Sequence, residues 1–152
     1  VRMRIVWLTA LLMVLAAPGF ASMDLEGRLG VGVNWQGFQV KYGVTPHWLV
    51  EGKVQFEYNN TVAGLRGYRL FEELPRMLMS VRPYLGGEVD WVFSDYLLGG
   101  MVAGAFCGLE LMPADYLGLE VDAGMYYINL WSGLGNISDL GLVFNAGVTF
   151  FF

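Results

Sequence analysis

Over run after run, apolar and polar side chains alternate one by one, and this period of two constrains the chain more than any other feature. In the clearest run Trp48, Val50, Gly52, Val54, Phe56 and Tyr58 alternate with Leu49, Glu51, Lys53, Gln55 and Glu57. Successive side chains of an extended strand point to opposite faces, so this run carries one greasy face and one charged face. Leu25, Leu29, Val31 and Val33 alternate in the same way with Glu26, Arg28, Gly30, Gly32 and Asn34. Leu117, Leu119, Val121, Ala123, Met125 and Tyr127 alternate with Gly118, Glu120, Asp122, Gly124 and Tyr126. The last run sets Leu140, Leu142, Phe144, Ala146, Val148, Phe150 and Phe152 against Gly141, Asn145, Gly147 and Thr149. Only the segment 61–70 is ambiguous, because Arg66 and Arg69 fall on opposite parities.

This reading predicts eight strands, at about 25–35, 37–45, 47–58, 61–70, 81–93, 98–112, 116–128 and 139–152. Most exceed the roughly 5–6 residues usual in soluble sheets and match the roughly 9–11 that a tilted membrane strand needs. Thr45-Pro46, Asn59-Asn60 and Pro113-Ala114-Asp115 supply turn chemistry between neighbouring antiparallel runs. The order implied is an all-β, up-and-down meander, with outward loops expected at about 35–37, 59–60, 94–97 and 128–140.

Composition enters through its apolar excess. Of 152 residues 55% are hydrophobic and only 15% charged, which excludes a disordered chain, and a single cysteine excludes a disulfide scaffold. Membrane helices are the usual cause of such an excess, but the stretch between Asp95 and Glu110, the nearest case after the N-terminal block, is shorter than the roughly 20 residues a helix needs to cross. Its Gly100, Gly104 and Gly108 fit a strand instead, sharing one face with Val102, Phe106 and Glu110. The first block is of another kind. Arg2 and Arg4 precede an uncharged run from Ile5 to Ala17, which ends in Pro18-Gly19-Phe20-Ala21 before Ser22. A basic start, a short apolar run and small residues at its end form a secretory signal, so residues 1–21 are expected to be a signal peptide and 22–152 the exported domain. Removing 1–21 takes two of the nine cationic residues and none of the 14 acidic ones. So acidic a chain offers no general phosphate-binding surface, which argues against nucleic acid as a partner.

Periodicity does not say which face lies inside. A lipocalin-like soluble barrel turns its apolar face inward; an outer-membrane barrel turns it to lipid and its polar face to the lumen. The glycines favour the second. Gly30, Gly32, Gly43, Gly86, Gly104, Gly108, Gly118, Gly124 and Gly147 all share the face of the long charged side chains. An eight-stranded barrel is just wide enough inside for side chains to fill it, so each large inward residue needs a small one opposite, whereas a solvated face has no such need. The expected lumen is therefore an ion-pair and water network of Arg28, Lys41, Lys53, Arg66 and Arg82 with Glu26, Glu51, Glu57, Glu88, Asp90, Glu110, Glu120 and Asp122, and not a wide channel. Trp35, Trp48, Tyr58, Trp91, Phe93, Tyr96, Tyr116, Tyr127 and Trp131 fall near strand ends or loops, where amphipathic rings sit at the two interfaces of a bilayer.

The closing residues Ala146-Gly147-Val148-Thr149-Phe150-Phe151-Phe152 resemble the C-terminal signal by which bacterial outer-membrane barrels are recognised for assembly, with Gly147, Phe150 and Phe152 at the matching positions and Ala146 where a polar residue is often found. Arg82-Pro83-Tyr84-Leu85-Gly86-Gly87 looks like the Pro-Tyr-x-Gly-x-Gly strand of small OmpW-like barrels, and the hairpin from Gly108-Leu109-Glu110 through Tyr116 into Leu-Gly-Leu-Glu is similar to their penultimate hairpin. The resemblance implies an eight-stranded transmembrane β-barrel in the bacterial outer membrane. It further implies membrane lipid and the barrel assembly machinery as partners, and a structural role or the binding or passage of a small apolar molecule. Short outward loops speak against adhesin-like roles.

Catalytic chemistry finds little to work with. His47 is the one histidine, beside Pro46 in an expected turn, and the serines after the signal, Ser22, Ser80, Ser94, Ser132 and Ser138, lie in the tail or in expected connections. Cys107 falls on the apolar face and reads as a packing residue. The pairs Glu88 with Asp90 and Glu120 with Asp122 could share a proton or hold a cation, but alternating acids are also what an ion-paired lumen requires. No phosphate loop or metal-ligand spacing is present, and no cofactor is expected. Two other readings remain open at this stage: a soluble lipocalin-like periplasmic ligand-binding barrel, and a lipid-modifying barrel enzyme built around His47.

Overall fold

The computed structural model describes residues 24–74, 79–95, 99–133 and 135–152. Within them the chain forms eight antiparallel strands and no helix: β1 (Leu29–Asn34), β2 (Gly37–Thr45), β3 (Trp48–Glu57), β4 (Asn60–Leu70), β5 (Ser80–Ser94), β6 (Gly99–Ala114), β7 (Leu117–Ser132) and β8 (Gly135–Phe151). Each pairs with the next, and β8 returns to pair with β1, so the sheet closes into a barrel with no crossover. The expected signal segment 1–21, Tyr96 and Leu97 lie outside the described residues.

Strand parity follows the alternation residue by residue. Leu29, Val31, Val33, Phe38, Val40, Val50, Val54, Leu85, Val121, Met125, Leu142 and Phe144 all lie exposed on the outer wall. Their neighbours Gln39, Lys41, Glu51, Lys53, Glu88, Asp90, Glu120 and Asp122 are buried in the interior. Register also resolves the ambiguous segment: Arg66 pairs opposite Glu51 and Glu88 and points inward, while Arg69 stands exposed near the end of β4.

Both described chain ends, the turn at Pro46-His47 and the turn at Asp115-Tyr116 lie at one end of the barrel, here called end B. The tight hairpins at Trp35-Gln36 and Tyr58-Asn59 mark the opposite end A. In each of those hairpins the second residue takes a left-handed backbone, Gln36 at φ 76° and Asn59 at φ 63°. The barrel is oblique at end A. Asn34, the last residue of β1, already pairs with Gly147, so residues 135–146 of β8 rise past β1, as the stagger of a closed barrel requires.

Three boundaries differ from the sequence expectation. Residues 25–28 are not strand: Gly27, at φ +74°, turns the chain, so Leu25 folds inward and is fully buried where alternation would have placed it outside. The loop expected at 128–140 is paired strand through most of its length, because Ile128 to Ser132 continue β7 against Gly135 to Asp139 of β8. The turn expected at Pro113-Ala114-Asp115 is shifted, since β6 runs on through a bulge to Ala114 and the chain reverses at Asp115-Tyr116.

Candidate functional site

All eight strands carry polar side chains on the inward face, β1 only through Asn34, above the buried Gly30 and Gly32. At the centre lies Arg66 of β4. Its Nη2 is 2.7 Å from Asp122 Oδ2, its Nε 2.9 Å from Glu88 Oε2 and its Nη1 3.5 Å from Glu51 Oε1, and the guanidinium stacks 3.8 Å from the centre of the Phe106 ring. A planar fork suits three carboxylates arriving from three directions, and the aromatic face covers what they leave open.

Lys41 of β2 forms a second centre towards end B. Its ammonium pairs with Glu120, with Glu110 at 3.7 Å and with Glu51 at 4.0 Å, so Glu51 links the two centres. Gln39 supports Glu120 by donating to its Oε1 at 2.6 Å, and it also donates to Thr149 Oγ1 at 2.8 Å. Nearer end A, Lys53 pairs with Glu88 and lies 3.3 Å from Asp90 Oδ2. Hydroxyl and amide donors complete the cluster: Tyr84 donates to Asp122 Oδ2 at 3.0 Å, Tyr126 to Glu88 Oε2 at 2.9 Å and Asn145 to Asp122 Oδ1 at 2.9 Å. Charges held away from water persist when paired and hydrogen-bonded in this way.

Ten of the thirteen residues expected in this network are buried in the lumen: Lys41, Glu51, Lys53, Arg66, Arg82, Glu88, Asp90, Glu110, Glu120 and Asp122. Three expectations are corrected. Glu26 is exposed outside the barrel, because the turn at Gly27 takes it off the strand. Arg28 is half-buried at end B, where its guanidinium donates to the carbonyls of Asp115 and Phe151 and so ties a turn to the closing strand. Glu57 keeps the inward parity but sits at the open mouth, where it is exposed. Arg82 lies low in the barrel and donates to the Pro46 carbonyl at 3.2 Å.

The expected network omitted Gln39, Tyr84, Tyr126, Asn145 and Thr149. The same parity marks them, although they carry no formal charge.

Space in the lumen is divided between rings and glycines. A Cβ on Gly86 would lie within 2.6 Å of Tyr68 Cβ, the Gly67 carbonyl oxygen and Phe106 Cζ. On Gly124 it would meet Tyr126 and Phe106, and on Gly147 the Glu120 carboxylate. The glycine-sized spaces are thus filled mainly by Tyr68, Tyr84, Phe106 and Tyr126, and less by arginine and glutamate than the sequence alone suggested. Below the charges, Leu25, Leu49, Leu70, Met112 and Phe151 are buried together and stop the barrel at end B.

Towards end A the lumen opens into a cavity of about 250 Å³. Lys53, Gln55, Glu57, Asn60, Glu88, Asp90, Tyr126 and Asn145 supply its polar lining, and Val62, Val92, Val102, Ile128, Leu130 and Val143 its apolar lining. The last six are inward residues of strand segments towards end A, where the inner face mixes aliphatic and polar side chains.

Of the exposed aromatic side chains, Trp35, Tyr58, Phe93 and Trp131 lie at end A and Trp48, Tyr116, Phe150 and Phe152 at end B, whereas Tyr127, expected near a strand end, lies within β7 and Phe144 in the middle of β8. On the closing strand Phe150 and Phe152 face outward, while Phe151 faces in and donates its N–H to the Tyr116 carbonyl. His47 is exposed at end B, and Ser80, the first residue of β5, donates to Glu73 at 2.7 Å. Among the described residues no group of three or more His, Cys, Asp or Glu side chains is arranged to hold a metal ion. Cys107 is exposed on the outer wall.

No protein-family model, curated protein or solved structure matches this chain.

Proposed function

We propose that the protein is an integral barrel of the bacterial outer membrane, exported by its N-terminal signal, with a plugged lumen and a structural role in the envelope. One observation carries the reading: the barrel is inverted, with its ion pairs inside and its apolar side chains outside. Every strand contributes to the outer apolar wall, whereas a soluble monomer rarely exposes a contiguous apolar patch beyond a few hundred Å². In water such a wall would drive aggregation; in lipid it is the surface that solvation requires. The aromatic side chains near both ends and the resemblance of the closing strand to an assembly signal support the same reading. Membrane lipid and the assembly machinery, acting through Gly147, Phe150 and Phe152, are the partners this implies.

A lipocalin-like binding barrel would need the apolar face around its ligand, and here that face is turned away from the lumen. The lipid-modifying enzyme has less support, since the Ser80 hydroxyl donates to Glu73 and His47 is exposed at end B.

Extraction of membranes followed by electrophoresis with and without boiling tests the proposal. The folded barrel is expected to pellet with membranes and to migrate differently before and after heating. Recovery of residues 22–152 as a soluble periplasmic monomer would refute it.

A further inference from the structure

Among the described strand residues Arg69 is the one charged side chain with outward parity, and we propose that it binds the phosphate of a membrane phospholipid at the foot of the barrel. The inference rests on the membrane-barrel reading, which makes the outer wall the surface that lipid meets. Its site is a pocket of about 580 Å³ at end B.

The register of β4 turns Arg69 outward, between Trp48 of β3 and Leu85 of β5, both exposed. A cation on a wall that faces lipid is costly to keep, and such a residue marks a site for a partner of opposite charge. That partner is not in the chain. A guanidinium is a planar fork of N–H donors, yet the one described contact of Arg69 is with the Phe71 ring, whose centre lies 5.8 Å away. Among the described residues no carboxylate comes within ion-pair distance of it. Trp48, directly across the strand pair, is one of the aromatic side chains of end B, and this puts the guanidinium at the level where headgroup phosphates lie.

The chain after β4 builds the pocket. It runs on alongside β5, with Phe71 donating its N–H to the Pro83 carbonyl at 2.8 Å and Leu74 to the Val81 carbonyl at 2.9 Å. Leu70, Phe71, Leu74 and Pro83 supply the apolar lining, and His47, Arg69, Glu72 and Glu73 the polar lining. Glu73 accepts from the Ser80 hydroxyl, and Glu72 is exposed. Two carboxylates beside one guanidinium leave no surplus of positive charge, so long-range attraction does not gather free anions here. Binding has to come from contact: the fork pairs with two phosphate oxygens, while an acyl chain lies along the outer wall on Phe71 and Leu85. A phosphate carried by a lipid makes both contacts at once, and a free phosphate makes only the first.

The test uses the protein extracted from membranes in a non-ionic detergent, with native mass spectrometry to resolve each bound molecule. Three probes are titrated: phosphatidylglycerol, diacylglycerol with the same chains, and glycerol 3-phosphate. Phosphatidylglycerol is expected to bind as a single molecule, at least about tenfold more tightly than diacylglycerol, the gain of a charge-assisted pair. Glycerol 3-phosphate, the anion without its chains, is expected to show no binding over the same range. Arg69→Gln should bring phosphatidylglycerol down to the affinity of diacylglycerol.

Equal binding of phosphatidylglycerol and diacylglycerol, or an Arg69→Gln protein that keeps the preference, would overturn the proposal. Glycerol 3-phosphate bound as tightly as the lipid would overturn it too, leaving a site for free anions. Heat-modifiable migration of each sample shows that the barrel is folded and reads the membrane-barrel proposal separately. A chain recovered as a soluble monomer refutes that proposal and takes the lipid away from the wall, whereas a heat-modifiable barrel without the preference refutes only the phospholipid site.

Discussion

Replacing Lys41 with methionine tests whether the lumen is a dry, ion-paired core. Methionine keeps most of the length and the apolar stem, so the change removes mainly the charge. Lys41 is 1% exposed, and three carboxylates, Glu51, Glu110 and Glu120, lie within 4.0 Å of its ammonium. After substitution Glu120 keeps the Gln39 amide and Glu51 keeps Arg66, but the two oxygens of Glu110 have no hydrogen-bond donor even in the intact protein. Breaking a buried ion pair by removing one partner costs about 3–5 kcal/mol. With a urea slope of about 2 kcal/mol/M, that is a fall in the unfolding midpoint of roughly 2 M. Urea titrations of the barrel in lipid vesicles, followed by tryptophan fluorescence, measure it. Adding Glu110→Gln should recover a large part of the loss, because the second substitution removes a buried charge that has lost the Lys41 ammonium. Were the lumen instead a water-filled channel, the pair would be screened, and Lys41→Met would cost about 1 kcal/mol or less. A loss that small, or a double variant no better than the single one, would refute the dry-core account.

On the outer wall Leu65 is 62% exposed at the middle of β4, and Leu65→Lys is expected to destabilise the barrel by about 2–4 kcal/mol in vesicles, as a cation facing hydrocarbon does; an unchanged urea midpoint would count against lipid there. Gly86→Ala should cost about 1–3 kcal/mol, because its Cβ collides with the Gly67 carbonyl and two ring-bearing side chains, whereas Gly67→Ala, which meets nothing within 4 Å, should leave the same midpoint unmoved. In planar bilayers the intact barrel is expected to show no conductance steps, since aromatic rings and the Leu25, Leu49, Leu70, Met112 and Phe151 plug fill its section; porin-sized steps would overturn the plugged-lumen reading. Phe152→Ala should lower the amount of heat-modifiable barrel assembled in cells while leaving the stability of the purified barrel intact, because Phe152 is 75% exposed beyond the last strand residue; equal assembly would separate the closing motif from recognition.

Alternation by itself determined which residues share a face, because the two-residue repeat is a property of the extended backbone and needs no partner strand. It therefore placed Lys41, Glu51, Lys53, Glu88, Asp90, Glu120 and Asp122 together, and opposite Val40, Val50, Val54, Val89 and Val121, before any pairing was known. The count of eight strands and their meander order followed from where the repeat breaks. Tertiary structure decided everything that depends on closure. Whether Arg66 or Arg69 points inward follows from the register of β4 against β3 and β5, which no local pattern encodes. The placing of Leu25 under the barrel depends on one left-handed glycine, and the tall wall over the cavity at end A depends on the stagger between β8 and β1. Which acid meets which base is likewise set across the lumen, between residues 56 positions apart for Arg66 with Asp122 and 79 apart for Lys41 with Glu120. Contacts of that kind belong to the closed ring as a whole: a one-residue slip at any seam would exchange the two faces of a strand.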